Sequence, residues 1–151
     1  MSRFHEMDKD ILNRIQSDFP VTSRPFLTIA EDLGLTEDTV IERVTHLKNS
    51  GIIRRIGGNL VPQALGFVST LCTAKVSEEQ IDSFAEIVNQ FPGVTHNYQR
   101  DGEFNLWFTF IAPSMAEIEE NLKTISQLTG ITDILNMPAT RVYKIKAQFD
   151  I

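Results

Sequence analysis

The sequence predicts an α+β protein of two parts, a helical N-terminal domain and a C-terminal domain built on an antiparallel sheet. Two observations predict this division. Residues 7–51 contain three apolar repeats with helical spacing. Residues 67–149 alternate strand-like runs with two amphipathic helices in the order βαββαβ, which is typical of a ferredoxin-like unit. We place the two domains at residues 1–62 and 63–151.

The N-terminal domain is predicted to be a winged helix-turn-helix domain. Proline and glycine signals bound three helices, which run over residues 7–18, from Pro25 to Gly34 and from Thr36 to Gly51. Thr36 is the predicted N-cap of the third helix, with Glu37 and Asp38 in its first turn. The run IIRRIGGNLV, residues 52–61, then predicts a small hairpin or wing around its glycines.

The C-terminal domain begins with a predicted strand over residues 67–76. Ser77 and Ser114 each open a capping box before an amphipathic helix, and Gly130 ends the second helix. The alternating run Thr140–Phe149 predicts the last strand. Two helices on one side leave the other sheet face open, and such a face is normally covered by a partner.

A predicted β-hairpin over Val94–Ile111 concentrates aromatic, basic and amide side chains. Asp101-Gly102 between two β-rich runs predicts a tight two-residue turn, in which Arg100 pairs with Glu103. Directly opposed residues point to one face. That face carries polar and aromatic side chains, namely His96, Tyr98, Arg100, Glu103, Asn105 and Trp107. The opposite face carries Phe104, Leu106 and Phe108 and can pack against helices, so the first face is a candidate ligand-binding wall.

Composition narrows the class of protein. A chain of 151 residues with 42% hydrophobic and 23% charged residues is typical of a globular protein. No run reaches the roughly 18 apolar residues of a membrane span, and the N-terminus lacks the apolar centre of a signal peptide, so we expect a cytoplasmic protein without membrane contact. The single Cys72 permits no internal disulfide and is expected to be a small buried hydrophobic residue.

The chain has a net charge of −6, and no basic segment offsets it. Residues 1–50 contain six Lys and Arg against nine Asp and Glu, and residues 51–151 contain eight against eleven. DNA-binding proteins use Lys and Arg side chains to neutralise the DNA phosphates. The third helix begins with two carboxylates where a recognition helix meets DNA. The charge therefore argues against DNA as a partner, although a local basic patch can still bind it.

The two-part pattern resembles the AsnC/Lrp family of regulators over nearly the whole chain. The matching residues are Leu33-Gly34-Leu35-Thr36, Gly51-Ile52-Ile53-Arg54-Arg55 and Leu65-Gly66-Phe67 after Pro62. This resemblance alone implies a DNA-binding transcriptional regulator with a small-molecule effector site, which is the alternative function.

A narrower resemblance is to the siroheme decarboxylases, an AsnC/Lrp-like branch of enzymes. It rests on three stretches: Arg54-Arg55-Ile56-Gly57-Gly58, Val94-Thr95-His96-Asn97-Tyr98-Gln99-Arg100 and Phe104-Asn105-Leu106-Trp107-Phe108. In that family a V-S/T-H-x-Y-x-R strand is followed by Y/F-N-L. The shorter, tryptophan-containing form found here is similar to the A-type subunit of the two-subunit enzyme of the alternative heme pathway.

The resemblance implies a reaction, a partner subunit and whether a separate cofactor is needed. The reaction is non-oxidative decarboxylation of the acetate groups at C12 and C18 of siroheme, giving 12,18-didecarboxysiroheme. The expected partner is a related B-type subunit in a heterodimer. No separate cofactor is implied, because the iron arrives with the substrate.

The candidate residues have roles that suit this chemistry. His96 can exchange protons near neutral pH or bind the heme iron, and Tyr98 can assist proton transfer or only stack. Guanidinium and ammonium groups can bind the substrate carboxylates, and Trp107 offers a flat apolar surface to the macrocycle. The predicted substrate-binding residues are Arg54, Arg55, Arg100, Asn105, Trp107, Arg141 and Lys144. Plain packing or interface roles for His96 and Trp107 stay open, as does a non-catalytic assembly role for the whole subunit.

Overall fold

A computed structural model describes residues 5–58, 60–144 and 149. The chain divides into two compact units, which we call the helical unit and the sheet unit. The helical unit includes the described residues up to Gly58 together with Lys144 and Phe149, and the sheet unit includes those from Leu60 to Tyr143. Across this part of the chain, no helix combines the length and hydrophobicity that a bilayer crossing requires.

The helical unit contains α1 (Glu6–Ser17), α2 (Pro25–Leu33) and α3 (Glu37–Asn49). The predicted capping signals for the second and third helices are confirmed. The Thr36 side chain accepts a hydrogen bond from the Thr39 amide at 3.2 Å, and Gly34 ends α2 with a φ of 67°. The three helices enclose one core, formed by Ile11, Leu12, Ile29, Ala30, Val40, Val44, Leu47 and Ile53.

A buried ion pair joins the first and third helices. Asp8 is 2% exposed, and its two carboxylate oxygens accept from Nε and an Nη of Arg43 at 2.8 and 2.7 Å. The hydrogen bond from Arg43 holds the pKa of the Asp8 carboxyl below its usual value, although desolvation opposes this effect. Asp8 therefore stabilises the helical unit in its ionised form.

The predicted wing is not formed within the described residues. Residues 52–58 and 60–61 contain no strand. Ile53 is buried in the helical core, while residues 54–58 are exposed. The glycines of this run give a strong turn signal, but the described residues on either side form no ladder of hydrogen bonds.

The sheet unit contains β1 (Val68–Ala74), α4 (Ile81–Asn89), β2 (Val94–Gln99), β3 (Leu106–Ala112), α5 (Met115–Thr129) and β4 (Ile134–Met137), with a short 3-10 helix at Pro62–Leu65. The strands are antiparallel in the order β2-β3-β1-β4. The predicted α+β fold, a helix-turn-helix followed by a ferredoxin-like βαββαβ unit, is confirmed. Ser114 caps α5 as predicted. The Ser77 hydroxyl instead donates to the Gln80 side chain and caps no backbone amide, and a 3-10 turn precedes α4.

Both helices of this unit lie on one face of the sheet. Phe84 and Val88 of α4 and Ile118 of α5 pack against alternate residues of the strands, which are Cys72, Ala74, Leu106, Phe108 and Phe110. Cys72 is fully buried, as predicted, and burial raises the pKa of its thiol to about 12. The remaining alternate residues of the strands point to the opposite face, which no helix of the sheet unit covers.

The predicted two-residue turn at Asp101-Gly102 was wrong. The Arg100 amide donates to the Asn105 carbonyl at 2.8 Å, so residues 101–104 form a four-residue loop. The loop is longer than two residues because the Phe104 carbonyl and the Glu103 side chain form contacts outside the hydrogen-bond ladder of the hairpin. The Phe104 carbonyl accepts from the Trp107 indole at 2.7 Å, and Glu103 pairs with Lys75 at 2.7 Å.

The register of the hairpin differs from the prediction by two residues. Tyr98 lies opposite Trp107 rather than Asn105, and an irregularity between Val94 and His96 places His96 opposite Thr109. Because side chains alternate with a period of two, a shift of two residues leaves His96 and Tyr98 on their predicted face. Beyond the irregularity, Val94 lies opposite Phe110 and packs against the core instead. His96, Tyr98 and Trp107 therefore share the open face, as predicted.

The predicted last strand, Thr140–Phe149, was also wrong in position. The fourth strand is Ile134–Met137, which pairs antiparallel with β1 and stops before Pro138. Proline has no amide hydrogen to continue the ladder. Residues 140–144 form no strand, and residues 145–148 lie outside the described part of the chain.

The Asp8–Arg43 pair gives a stability prediction with a defined pH dependence. Because the folded pKa of Asp8 is lowered, its contribution is present at neutral pH and is lost as the pH falls below about 5, where the unfolded carboxyl, with a pKa near 3.9, takes up protons first. We expect Asp8→Asn to lower the free energy of unfolding at pH 7 by about 1–3 kcal/mol and to flatten its acid dependence. Urea unfolding followed by circular dichroism measures both.

Asp32→Asn is the matched control, because Asp32 pairs with Arg14 at 2.9 Å but its side chain is 46% exposed. This change should cost less than about 1 kcal/mol. Equal losses in the two variants would contradict a special contribution from the buried pair.

Candidate functional site

The open face of the sheet combines a polar corner with an apolar strip. The polar corner is formed by His96, Tyr98 and Arg100 of the β2 strand and its C-terminal end, together with Trp107 of β3. The apolar strip lies on the adjacent strands and consists of Leu71 of β1 and Leu135 and Met137 of β4. Leu71 and Leu135 are 41% and 44% exposed. The face can therefore take a ligand with an apolar body and polar substituents.

His96 is exposed and oriented by its neighbours. Its Nδ1 lies 3.0 Å from the Thr95 hydroxyl, and its ring stacks on Tyr98 with centroids 6.1 Å apart and planes at 29°. Nε2 has no hydrogen-bond partner among the residues that the structure describes. An imidazole held in this way can donate or accept a proton through Nε2, or use the same atom to bind a metal.

Arg100 and Trp107 form the second pair of the polar corner. The Arg100 guanidinium lies 5.8 Å from the centroid of the Trp107 ring, within the range of a cation–π contact. The indole nitrogen donates to the Phe104 carbonyl at 2.7 Å, which fixes the ring. Arg100 is exposed and has no acidic partner in the described residues, so its charge is available to an anion.

Asn105 occupies a structural position at the end of the hairpin. Its side-chain Nδ2 donates to the Val76 carbonyl at 2.8 Å, and its Oδ1 accepts from the Val76 amide at 3.0 Å. Its backbone amide donates to Ala74, and its carbonyl accepts from Arg100. The side-chain amide that was predicted to touch substrate thus joins Asn105, just after the loop, to Val76, two residues beyond the end of β1. Sequence reasoning missed this role because the partner is 29 residues away along the chain.

The other predicted carboxylate-binding residues lie elsewhere. Arg54 and Arg55 are exposed in the helical unit, where they line a cavity, and Lys144 is also exposed in that unit. Arg141 lies in the sheet unit beyond β4, with its guanidinium 5.0 Å from the centroid of the Tyr143 ring. The structure brings together the His96, Tyr98, Arg100 and Trp107 side chains only. The roles of all these residues in substrate binding stay predictions.

The basic residues fall into two groups by their partners. Five of them each pair with an acidic side chain, namely Lys9, Arg14, Arg24, Arg43 and Lys75. The five predicted carboxylate-binding cations form no ion pair within the described residues; they are Arg54, Arg55, Arg100, Arg141 and Lys144. Lys48 and Lys123 form no ion pair there either. In a chain with a net charge of −6, the lack of an acidic partner makes all these cations available to an anionic ligand but does not by itself distinguish the five predicted ones.

Family models match both parts of the chain. Residues 8–54 match the siroheme decarboxylase NirDL-like HTH domain, and residues 64–144 match the AsnC-like ligand binding domain. The siroheme decarboxylase alpha subunit of Desulfovibrio desulfuricans is 48% identical over 143 residues, which cover 95% of this chain and 82% of that protein. This chain belongs to the siroheme decarboxylase family.

Two further comparisons support this membership. The siroheme decarboxylase alpha subunit of Oleidesulfovibrio alaskensis is 49% identical over 95% of this chain and 87% of that protein. The crystal structure of the siroheme decarboxylase NirDL in co-complex with an iron-uroporphyrin III analogue aligns with a TM-score of 0.69 and 32% identity over 95% of this chain. The present chain spans about half of that NirDL chain, 48%.

The Asn105 network predicts a local change when its side-chain amide is removed. Asn105→Ala leaves the Val76 amide and carbonyl without partners and should lower the free energy of unfolding by about 1–3 kcal/mol. Hydrogen exchange at the Val76 amide should accelerate more than exchange in the middle of β1. Gln99→Ala, an exposed change on the neighbouring strand, is the control. Unchanged protection of Val76 in Asn105→Ala would contradict the proposed linkage.

Proposed function

We propose that this chain is a subunit of a siroheme decarboxylase that releases carbon dioxide from the acetate groups at C12 and C18 of siroheme, a carboxy-lyase reaction. The observation that carries the proposal is the polar corner, where an oriented imidazole, a phenol and an unpaired guanidinium share one open face. Membership of the siroheme decarboxylase family supports siroheme as the substrate.

The face suits the two chemical parts of this substrate. The apolar strip of Leu71, Leu135 and Met137 offers contact area to the flat macrocycle. Arg100 offers a planar fork of donors to a carboxylate, and the Trp107 ring beneath it limits the directions that the guanidinium can take. Arg54, Arg55, Arg141 and Lys144 are the further candidates for the remaining carboxylates.

The reaction consumes one proton for each acetate that becomes a methyl group. Protonation of the ring carbon next to the one that bears the acetate makes the acetate-bearing carbon electron-poor, so the electron pair of the breaking C–C bond can form an exocyclic double bond to it. Carbon dioxide then leaves, the exocyclic carbon takes up a proton to become the methyl group, and the ring carbon loses its proton. A group that both donates and accepts protons near the ring can serve these steps.

We assign proton transfer to His96, whose Nδ1 is held by Thr95 while Nε2 has no partner among the residues that the structure describes. Tyr98 stacks on the imidazole and can donate a hydrogen bond to the same substrate group. Ligation of the substrate iron would use the same Nε2 atom. The two roles are distinguished by the visible spectrum of the bound tetrapyrrole, which responds strongly to an imidazole on the iron and weakly to a proton donor at the ring edge.

The partner, cofactor and location follow from the same proposal. Relatives in this family are named as alpha subunits or as NirD and NirG subunits, which supports a related B-type subunit as the heterodimer partner. We propose that the iron enters only with siroheme and that no other cofactor takes part. We expect the reaction to take place in the cytoplasm.

The decisive test is decarboxylation by variants of the polar corner, assayed with the partner subunit present. We expect His96→Ala to lower kcat by about a hundredfold or more, because general acid–base catalysis is typically worth that much. Arg100→Ala should raise KM about tenfold or more, because a charge-assisted contact is lost. Mass spectrometry of the tetrapyrrole measures both. Both side chains are exposed, so the circular dichroism spectrum should not change.

Lys123→Ala is the control, since Lys123 is an exposed cation on α5 that is not part of the polar corner. Near-wild-type turnover in both His96→Ala and Arg100→Ala would remove the proposed roles. If the equivalent changes in the partner alone abolish the reaction, this chain acts only as an assembly subunit.

The regulator alternative is disfavoured by the surface of the third helix. Glu37 and Asp38 lie in its first turn, Arg24 pairs with Glu37, and Arg43 is held by the buried Asp8. The remaining basic or potentially basic groups on α3 are His46 and Lys48, in the last turn. A recognition helix usually presents its N-terminal residues to the bases.

We therefore expect no retardation of duplex DNA by this chain in about 50 mM salt, a condition that favours phosphate contacts. An electrophoretic mobility assay, run beside a visible-spectrum titration with siroheme, measures this. Retardation of DNA that persists with a non-specific competitor, without a spectral change in siroheme, would instead support the regulator.

A further inference from the structure

The β2 strand contains one residue more than its partner strand β3 just before His96. Val94 lies opposite Phe110, and His96 lies opposite Thr109. Two steps along β2 thus correspond to one step along β3, which makes Thr95 the extra residue of a β-bulge. Bulges re-aim side chains and are frequent beside functional sites. This bulge allows Val94 to pack against the core while His96 lies on the open face.

The chain is fixed on both sides of the bulge. Before it, the Gly93 carbonyl accepts from the Ile111 amide at 2.8 Å. A Cβ built on Gly93 would overlap the Ile111 carbonyl oxygen, so the two backbones approach too closely to admit a side chain there. After the bulge, the Asn97 side chain donates to the Asn89 side chain of α4 at 3.0 Å. Because both flanks are fixed, the extra residue is accommodated at position 95.

The bulge brings the Thr95 hydroxyl to the imidazole of the next residue. Consecutive side chains of a regular strand point to opposite faces and do not meet. Here Thr95 Oγ1 lies 3.0 Å from His96 Nδ1, which is its partner within the described residues. Thr95 is exposed, so water can accept the hydroxyl proton while the hydroxyl oxygen accepts a hydrogen bond. The Tyr98 ring stacks on the same imidazole and limits its rotation.

The direction of this hydrogen bond follows from the use of the other ring nitrogen. A neutral imidazole has one N–H group, and the hydrogen bond at one nitrogen decides which nitrogen carries the proton. Both uses of Nε2 described above, proton exchange with the substrate and ligation of its iron, need the Nε2 lone pair in the neutral ring. Nδ1 then keeps its proton and donates it to the hydroxyl. The imidazolium form also has a proton on Nδ1, so the same hydrogen bond persists throughout a proton transfer at Nε2.

We propose that Thr95 is a positioning residue that accepts a hydrogen bond from the Nδ1–H group of His96 and thereby keeps the Nε2 lone pair available. The bulge places the hydroxyl, and the hydroxyl selects the tautomer. The catalytic consequence of this tautomer rests on the proposed function, but the tautomer itself is measured without substrate.

The tautomer is measured by two-bond ¹H–¹⁵N correlation spectra of the ¹⁵N-labelled chain in complex with its unlabelled partner. The chain has three histidines, and the signals absent from His96→Ala are those of His96. At about pH 8.5, where an ordinary imidazole is neutral, we expect the Nδ1–H tautomer in the wild type. Thr95→Val keeps the branched side chain without the hydroxyl and should lose this preference, whereas Thr95→Ser should retain it. Thr109→Val is the matched control, because it removes a hydroxyl from the position opposite His96 and should leave the tautomer unchanged.

The catalytic consequence is measured as turnover of siroheme by the same complexes. We expect Thr95→Val to lower kcat about tenfold or more, because a hydrogen bond to the charged imidazolium is lost. KM should stay within about twofold of the wild-type value, since the hydroxyl contacts the imidazole and not the substrate. Thr95→Ser should restore kcat.

The outcomes separate this inference from the proposed function. An Nε2–H tautomer in the wild type, or the same tautomer in the wild type and Thr95→Val, would overturn the inference. So would a changed tautomer with an unchanged kcat, or equal losses of kcat in Thr95→Val and Thr95→Ser, which would make the role of Thr95 structural. If the tautomer changes as expected but the wild-type complex releases no carbon dioxide from siroheme, the assigned hydrogen bond stands and the proposed function fails.

Discussion

The alternation of side chains along β3 is the constraint on which the sheet unit depends. Leu106, Phe108 and Phe110 are each 2% exposed or less and pack under the two helices. Because successive side chains point to opposite faces, burying these three fixes Trp107 and Thr109 on the open face. A slip by one residue would expose the three apolar side chains, at about 1.5–3 kcal/mol each. The site is therefore held in place by the core on the other side of the strand.

This constraint explains how the sequence could predict the face of the site but not its details. The pattern of β3 decides which side chains point away from the helices, and a local pattern is enough to read it. The loop at residues 101–104 depends instead on contacts that reach across the sheet unit, such as the pair of Lys75 with Glu103 and the amide of Asn105 on Val76. No pattern in the nearby sequence predicts these contact partners. The predicted turn was wrong for this reason. The prediction of which side chains lie on the open face was still correct, because it depends on the pattern of β3 and not on the turn.

The misplaced last strand has a related cause. Thr140–Phe149 alternates as a strand would. An alternating pattern shows only that a segment can pair as a strand, and it does not show which of two segments occupies the free edge of the sheet. Residues 134–137 follow α5 closely and occupy the edge of β1, and Pro138 then stops the ladder. The wing over residues 52–61 shows the same limit: its glycines favour a turn, yet turn chemistry cannot supply a pairing partner. Helix ends were predicted better, since caps at Thr36 and Ser114 are local interactions.

The charge distribution decides what an acidic chain of this family can bind. Charges separated by more than about 8 Å of physiological solution are largely screened, so a ligand at one site does not sense the net charge of −6. The ligand interacts with the charged groups beside it. An arginine there can bind an anionic ligand only if the arginine is not already paired with a carboxylate of the protein. Arg43 is engaged by Asp8, so the third helix keeps its fold and loses a cation that phosphate could use. Arg100 stacks on an indole, which holds the guanidinium without neutralising it. Arginine is thus structural at position 43 and available to an anion at position 100, and the difference lies in the partner that the fold provides.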